Sequence, residues 1–222
     1  RVIIMADIVS LARQQIIDEN KSFLEDKLFL EFGVMGGGSI RYISGQYDEN
    51  KINYKGFGFD SFEGLPAEAD MEATSGIWKK GQFKSSVSFE ELQKEFKDKI
   101  TLVPGWFNET LNDETLSLFK GMKAGLVHVD CDIYSSSKTV LKWLVDNDLL
   151  VDGTLIMYDD WGGHAAIREG CPGEYSCGQG LAHKEICEEY NLNFEDVSTI
   201  RVTEDGHWTV KIFKFKGASR CE

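Results

Sequence analysis

The chain has 222 residues, of which 42% are apolar, and a formal net charge of −13 from 24 basic and 37 acidic residues. This length and apolar content suffice for one domain with a sizeable core. The acidic charge, without a basic cluster, argues against nucleic acid as a partner. No apolar run approaches the roughly 20 residues of a membrane span, so we expect no membrane partner.

The five cysteines do not form CxxC pairs, so neither a disulfide framework nor a zinc site is indicated. The N-terminus lacks the apolar segment and cleavage site of a secretory signal. Reduced thiols and a cytoplasmic location are the expectation. Because the sequence begins at Arg1 rather than Met, we expect either a trimmed chain or a domain cut from a longer polypeptide. The expected assembly is either a homo-oligomer or a part of a larger synthase.

The first predicted elements are a helix over about residues 6–19 and a strand over residues 28–32. Ile8, Leu11, Ala12 and Ile16 recur at helical spacing. This helix either covers one face of the sheet or acts as a lid over the substrate site. The strand Leu28 to Phe32 is short and apolar, as in a parallel sheet buried on both faces.

Four glycines, Gly33, Gly36, Gly37 and Gly38, follow this strand within eight residues. Ser39 then stands where a helix N-cap is expected. A strand, a glycine loop and a helix N-terminus are typical of a nucleotide site in a doubly wound fold. A tight turn without a ligand gives the same pattern. The pattern does not match an NAD site, because Arg41 stands where the third glycine is required.

The later elements continue the alternation of strands and helices. Strands are predicted at residues 54–59, 100–103, 125–129 and 154–158, with helices between them, one of which opens with the capping box Ser88-Phe-Glu-Glu91. Residues 61–87 are a long polar connection, either a lid or a surface excursion. Segments 197–203 and 207–215, joined through Asp205-Gly206, predict an antiparallel hairpin. The sequence therefore predicts one α/β domain over residues 1–222, with a doubly wound, mostly parallel seven-stranded sheet.

Acidic residues follow the carboxyl ends of several predicted strands, where ligands bind in such sheets. They are Glu31, Asp60, Asp130, Asp132, Asp159 and Asp160. Crowded carboxylates repel one another, so positive charge is expected among them. A divalent metal on Asp130, Asp159 and Asp160 would supply it, with a sulfonium ligand on the glycine side. A solvated turn is the alternative for the Asp159-Asp160 pair.

Five motifs together resemble class I S-adenosylmethionine (SAM)-dependent methyltransferases, and more closely the macrocin O-methyltransferase (TylF/MycF-like) family. They are Glu31-Phe-Gly-Val-Met-Gly-Gly-Gly-Ser39, Phe59-Asp-Ser-Phe-Glu-Gly-Leu-Pro66, Gly105-Trp-Phe-Asn-Glu-Thr-Leu111, His128-Val-Asp-Cys-Asp-Ile-Tyr-Ser135 and Asp152-Gly-Thr-Leu-Ile-Met-Tyr-Asp-Asp160. The resemblance implies SAM at Glu31, Gly33, Gly36, Ser39, Asp60, Ser61, Gly105 and Trp106. It implies Mg²⁺ at Asp130, Asp159 and Asp160.

The expected reaction is Mg²⁺-dependent methylation of a hydroxyl on a sugar or polyketide-type natural product, either a small molecule or carrier-bound. A small phenol is an alternative acceptor, and a non-catalytic SAM-binding domain is an alternative function. Cys131 and Trp161 depart from the family pattern on the substrate side, so the sequence does not decide whether the acceptor is a sugar.

The residues expected to serve this reaction have separate roles. Asp130, Asp132 and His164 are candidates for the base, and the sequence does not choose among them. His128 is expected to be a core residue. Trp78, Trp161 and the first helix are expected to exclude water and to shape the acceptor pocket.

Overall fold

The computed structural model describes residues 3–72, 78–161, 174–202 and 209–218. The described helices are α1 (Ile3–Glu19), α2 (Lys21–Leu24), α3 (Gly38–Glu49), α4 (Ala69–Glu72), α5 (Phe89–Phe96), α6 (Phe107–Thr110), α7 (Asp113–Leu118), α8 (Tyr134–Asp146) and α9 (Gly178–Tyr190). The described strands are β1 (Lys27–Phe32), β2 (Tyr54–Asp60), β3 (Ile100–Pro104), β4 (Ala124–Val129), β5 (Leu155–Tyr158), β6 (Leu192–Arg201) and β7 (Thr209–Ala218).

The seven described strands form one sheet in the order β3-β2-β1-β4-β5-β7-β6. The first five are parallel, and β7 pairs antiparallel with both β5 and β6. The predicted doubly wound α/β fold and its C-terminal antiparallel pair are therefore confirmed. The turn residues Asp205 and Gly206 lie outside the described residues. Among the described residues, no helix combines the length and apolarity required to cross a bilayer.

Helices cover both faces of the sheet, and β1 contributes to both layers because its side chains alternate. Leu28, Leu30 and Phe32 pack in one core layer with residues of α8 and α9. Phe29 packs in the other layer with residues of α1, α3 and α5. Glu31 has the same parity as Phe29 and therefore faces the α1 and α3 side.

The buried face of α1 differs from the predicted one. Ile8 and Leu11 are 45% and 63% exposed, whereas Val9, Ile16 and Ile17 are buried. The helix is rotated relative to the expectation because Ile16 and Ile17 enter the core layer beneath α1. This rotation also turns a charged residue on the same stripe inward.

Two predicted helix caps were wrong, and one was confirmed. Helix α3 begins at Gly38 after Gly37, whose φ of 78° is left-handed, and the Ser39 hydroxyl donates to Glu31 instead of capping. For helix α8 the sequence predicts Ser135 or Ser136 as the cap, but the helix follows Ile133 and has no side-chain cap. The Glu72 carboxylate accepts from the Ser135 N–H at 3.1 Å. The capping box of α5 is present.

Strand β6 begins at Leu192, five residues before the expected start. Its first half carries Asn193, Glu195 and Asp196, which are poor strand formers by type. The strand lies at the sheet edge, where charged residues are tolerated and limit further strand pairing. The five parallel strands, in contrast, match their expected bounds within one residue.

Candidate active site

A cavity of about 1090 Å³ lies at the carboxyl ends of the parallel strands, where doubly wound sheets bind ligands. Its wall includes parts of α1, the glycine loop, the segment after β2, the turn after β3 and the ends of β4 and β5. Among the residues expected from the sequence, those that line it are Gly33, Gly36, Ser39, Asp60, Ser61, Gly105, Trp106, Asp130, Asp132, Asp159 and Asp160. Glu31 lies behind this wall, and His164 lies outside the described residues.

The glycine loop is shaped by two different requirements. Gly33 has a φ of 93°, and a Cβ there would lie 1.8 Å from the carbonyl oxygen of Asp130. Only glycine allows β1 and β4 to end this close together. At Gly36 and Gly38, an added Cβ would meet no described atom within 4 Å. Both line the cavity, so a side chain there would project into space that a ligand requires.

The Asp60 carboxylate at the end of β2 organises this loop. One oxygen accepts the N–H groups of Val34 and Met35, both at 2.7 Å. The other accepts the N–H of Phe62 at 2.6 Å. Because each carboxylate oxygen accepts about two hydrogen bonds, the second oxygen retains capacity for a hydroxyl donor. Asp60 is therefore suited both to fixing the loop and to binding a ribose.

The turn after β3 forms a further part of the cavity wall, next to Asp60. Gly105 has a φ of 134°, and its N–H donates to the Asp60 carbonyl at 2.9 Å. Trp106, half-buried, precedes α6 and lines the cavity, whereas Phe107 packs edge-on against Phe32 with centroids 5.9 Å apart. The aromatic face of Trp106 is thus available to a flat ligand.

The Ser61 hydroxyl lines the cavity but also holds its own loop. It donates to the Gly64 carbonyl at 3.0 Å and accepts the Glu63 N–H at 3.1 Å. Loops closed by such local serine bonds keep a fixed shape. The loop that follows Asp60 is therefore preformed at its start.

The carboxyls at the ends of β4 and β5 influence one another. Burial, followed by the charges of neighbouring carboxylates, raises the pKa of Asp130, Asp132 and Asp160 well above the usual range. The side chains of Asp132 and Asp160 also hydrogen-bond to each other. Such a pair shares a proton because two buried like charges cannot both ionise. The cluster is therefore stabilised when some of its carboxyls are protonated or when a cation binds among them.

Three side chains in this region offer atoms that could hold one metal ion. Atoms of His128, Asp130 and Asp159 lie within 4.8 Å of one another. The structure thus brings together two of the three predicted metal ligands. The third, Asp160, hydrogen-bonds to Asp132 instead. Carboxylate oxygens are the ligands that Mg²⁺ prefers.

His128 is fully buried, and both of its ring nitrogens face partners. Nδ1 lies 3.1 Å from Glu31 Oε2, and Nε2 lies 3.1 Å from Arg13 Nη2 and 3.6 Å from Asp159 Oδ1. Burial lowers the pKa of His128, but the bonds to Asp159 and Glu31 outweigh it and raise the pKa to about 9. Glu31 also accepts the Ser39 hydroxyl at 2.8 Å. His128 and Glu31 therefore support the cavity wall from the side that faces away from the cavity.

Two functional side chains were missed by sequence reasoning. Arg13 of α1 pairs with Asp159, and Gln179 of α9 donates to the Val129 carbonyl and accepts the Asp160 N–H. The signal for Arg13 was present, since a charged residue at position 13 shares a helical stripe with Val9, Ile16 and Ile17. Nothing local distinguishes Gln179, because its partners come from distant strands.

The two tryptophans expected at the acceptor side have different locations. Trp78 lines the cavity and packs against Phe83, with ring centroids 5.3 Å apart. Trp161 is 1% exposed and packs in the core beside Tyr158, and its Nε1–H donates to Glu174 at 2.6 Å. The expectation that Trp161 shapes the pocket is therefore wrong. Its indole is buried in the core, and the exposed Glu174 accepts its N–H at the edge of that core.

A doubly wound sheet with a β7 antiparallel to β5 and a glycine loop facing acidic strand ends defines the chain as a class I methyltransferase. The sequence profile of the macrocin O-methyltransferase (TylF) family matches residues 14–182. The chain belongs to this family and is a SAM-dependent O-methyltransferase. A comparison with curated protein sequences finds no significant match.

Solved structures share the fold over most of the chain. The O-methyltransferase NovP superposes with a TM-score of 0.66 at 16% identity, covering 93% of this chain and 79% of NovP. The calicheamicin methyltransferase CalS11 gives 0.67 at 18% identity, covering 93% and 78%. The O-methyltransferase TomG from Streptomyces achromogenes, in complex with SAM, gives 0.53 at 12% identity, covering 93% and 80%. At these identities the likeness concerns the fold.

Proposed function

We propose that the protein is a Mg²⁺-dependent SAM O-methyltransferase that acts on a hydroxyl of a natural product of the sugar or polyketide type. The observation that carries this proposal is one cavity with two dissimilar walls. The glycine loop and Asp60 form one wall, and the carboxyls of Asp130 and Asp159 belong to the other. A cofactor and a cation would therefore meet within reach of one acceptor.

On the cofactor side, the residues leave space and hydrogen-bond acceptors for a nucleoside and an amino-acid tail. Gly36 and Gly38 leave open space, and Asp60 retains an acceptor site for a ribose hydroxyl. Ser61, Gly105 and Trp106 would complete the nucleoside site, and Gly33 and Ser39 the side next to Glu31. SAM, when bound, supplies a methyl group on a sulfonium. The chain's contribution is orientation for in-line displacement.

The metal side rests on Asp130 and Asp159, with Asp160 adjacent in sequence. Their hard oxygen donors fit Mg²⁺, and their crowding favours a cation over a neutral ligand. When bound, Mg²⁺ supplies a Lewis acid that lowers the pKa of a nearby hydroxyl. A bound cation would lower the pKa of Asp130 as its ligand and so make Asp130 a weaker base.

We therefore assign the proton transfer to Asp132 rather than to Asp130. Asp132 lines the cavity next to the cluster, and burial raises its pKa, which makes its carboxylate a stronger proton acceptor. His164, the other candidate, has no described position. If His164 instead accepted the proton of the acceptor hydroxyl, Asp132→Asn would leave the rate of methyl transfer unchanged.

The acceptor side has room and an apolar surface. A volume of about 1090 Å³ exceeds the usual range of about 300–1,000 Å³ for one small-molecule site. Leu65, Trp78 and Phe83 line the part formed by the segment after β2. The acceptor would place an apolar face there, as a polyketide or deoxysugar does. CalS11, a calicheamicin methyltransferase by name, is consistent with such an acceptor.

A phenolic acceptor is the second candidate, and the tilted Trp78–Phe83 ring pair favours it because flat rings pack well there. A screen with methyl-labelled SAM, read by mass spectrometry, decides between them. The acceptor set comprises sugars, phenols and carrier-bound hydroxyacyl chains, each with Mg²⁺ or with a chelator.

We expect labelled O-methyl product from a sugar or polyketide acceptor, and loss of product with the chelator. Asp132→Asn should lower the rate at saturating SAM without changing SAM affinity. Full turnover in the chelator would contradict the metal part of the proposal. SAM binding without product from any acceptor would favour the non-catalytic alternative.

A further inference from the structure

Arg13 places a guanidinium among the carboxyls at the ends of β4 and β5. Its Nη2 pairs with Asp159 Oδ1 and lies 3.1 Å from His128 Nε2. The residue is 8% exposed and lines the cavity. A buried cation therefore lies at one of the three carboxylates expected to hold a metal ion.

The guanidinium is only partly satisfied in this position. Its Nε–H is buried and has no partner among the described residues. A buried donor without an acceptor is destabilising, and more so when the group is charged. The ion pair with Asp159 compensates for this cost, but the geometry leaves one donor unused. The position of Arg13 is thus less stable than that of a fully hydrogen-bonded buried arginine.

The helix that carries Arg13 forms part of the cavity wall. Val9 and Ser10, one turn earlier, also line the cavity. The Tyr42 hydroxyl donates to the Ser10 carbonyl at 2.7 Å, and Ile16 and Ile17 are in the core. The C-terminal half of α1 is therefore anchored in the core. The earlier part of α1 is held by Val9, which packs with Ile200 and Val210, and by the bond from Tyr42. Arg13 lies between these two anchored parts and pairs with Asp159 at the cavity.

A guanidinium and a divalent cation cannot share Asp159 at low cost. Both require the same carboxylate charge, and like charges at this separation repel strongly in a buried site. Asp159 therefore either pairs with Arg13 or serves as a metal ligand.

We propose that Arg13 is the resident counter-ion of Asp159 and that a divalent cation must displace it in order to bind. This inference rests on the proposed metal-dependent function. It makes Arg13 a determinant of metal affinity, because the apparent affinity falls by the fraction of molecules in which the site is occupied by the guanidinium. It also links metal binding to loss of the ion pair that holds the middle of α1 at the cavity.

The test is Mn²⁺ binding to the SAM-free protein, measured by electron paramagnetic resonance of free Mn²⁺. Arg13→Ala and Arg13→Gln should bind Mn²⁺ about tenfold more tightly than the wild type. Arg13→Lys, which retains the charge, should remain near the wild-type affinity. Arg201→Ala is the matched control, since Arg201 is exposed in β6. Thermal unfolding verifies that each variant is folded.

The second readout is amide hydrogen exchange in α1. In the wild type, Mn²⁺ should speed exchange in the middle of α1, around Arg13, and in Arg13→Gln exchange there should be fast with or without Mn²⁺. Equal or weaker Mn²⁺ binding by the alanine and glutamine variants would overturn the displacement while the proposed function stands. Failure of every variant, including wild type, to bind Mn²⁺ would refute both the displacement and the metal part of the proposed function.

Discussion

Gly33 and Gly36 are three residues apart in one loop, but alanine should have opposite effects at the two positions. At Gly33, the left-handed φ of 93° costs a non-glycine residue about 1–2 kcal/mol. The new Cβ would also lie 1.8 Å from the Asp130 carbonyl oxygen, which is backbone and cannot rotate away. Strands β1 and β4 would have to separate, so we expect Gly33→Ala to lose at least ~4 kcal/mol, which is exceptional for one substitution.

For a domain of this length, that loss corresponds to a fall in the unfolding temperature of about 8–16 °C. Gly36→Ala has no described atom within 4 Å of the new Cβ and should stay within about 1 kcal/mol of wild type. Its methyl group projects into the cavity and should weaken SAM binding about tenfold or more.

Calorimetric unfolding and SAM titration of both variants separate the two effects. The reasoning is refuted if Gly33→Ala unfolds at the wild-type temperature, or if Gly36→Ala binds SAM as tightly as wild type.

Three further substitutions test the site and the core. Asp159→Ala should abolish Mg²⁺-dependent turnover but leave SAM affinity unchanged by titration; normal turnover would contradict the assigned ligand. Asp60→Ala should weaken SAM binding and lower the free energy of unfolding by about 2 kcal/mol, because three backbone N–H groups lose their acceptor. Burial lowers the pKa of His183 to about 4, below its usual 6.5. Between pH 6.5 and pH 4, His183 binds a proton in the unfolded chain but not in the folded one. The free energy of unfolding should therefore be highest above pH 6.5 and fall by about 3 kcal/mol by pH 4, measured by urea unfolding. His183→Gln should reduce this dependence of stability on pH. An unchanged slope would mean that groups other than His183 cause the dependence.

The fold was largely readable from the sequence because its main signals are local. Leu28 to Phe32 is apolar at every position but Glu31, and Gly33 follows directly, which indicates a buried parallel strand ending in a loop. The polar residues of β6 gave the opposite signal. That strand forms because β7 offers a partner edge, and a distant partner leaves no local pattern.

The site was readable as a set of positions but not as a set of contacts. Asp130 and Asp159 follow neighbouring strands, so their proximity follows from parallel topology. That Asp160 turns to Asp132, and that Arg13 reaches Asp159, depends on side-chain directions set by packing. Trp161 illustrates the same limit, because its place in the core depends on Glu174 and Tyr158 rather than on its position after β5.

The most direct test of the account is a crystal grown with S-adenosylhomocysteine and Mn²⁺, examined by anomalous scattering. The account predicts one Mn²⁺ peak between the carboxylates of Asp130 and Asp159, with the nucleoside along the glycine loop and its ribose at Asp60. A bound nucleoside without any Mn²⁺ peak at these carboxylates would contradict it.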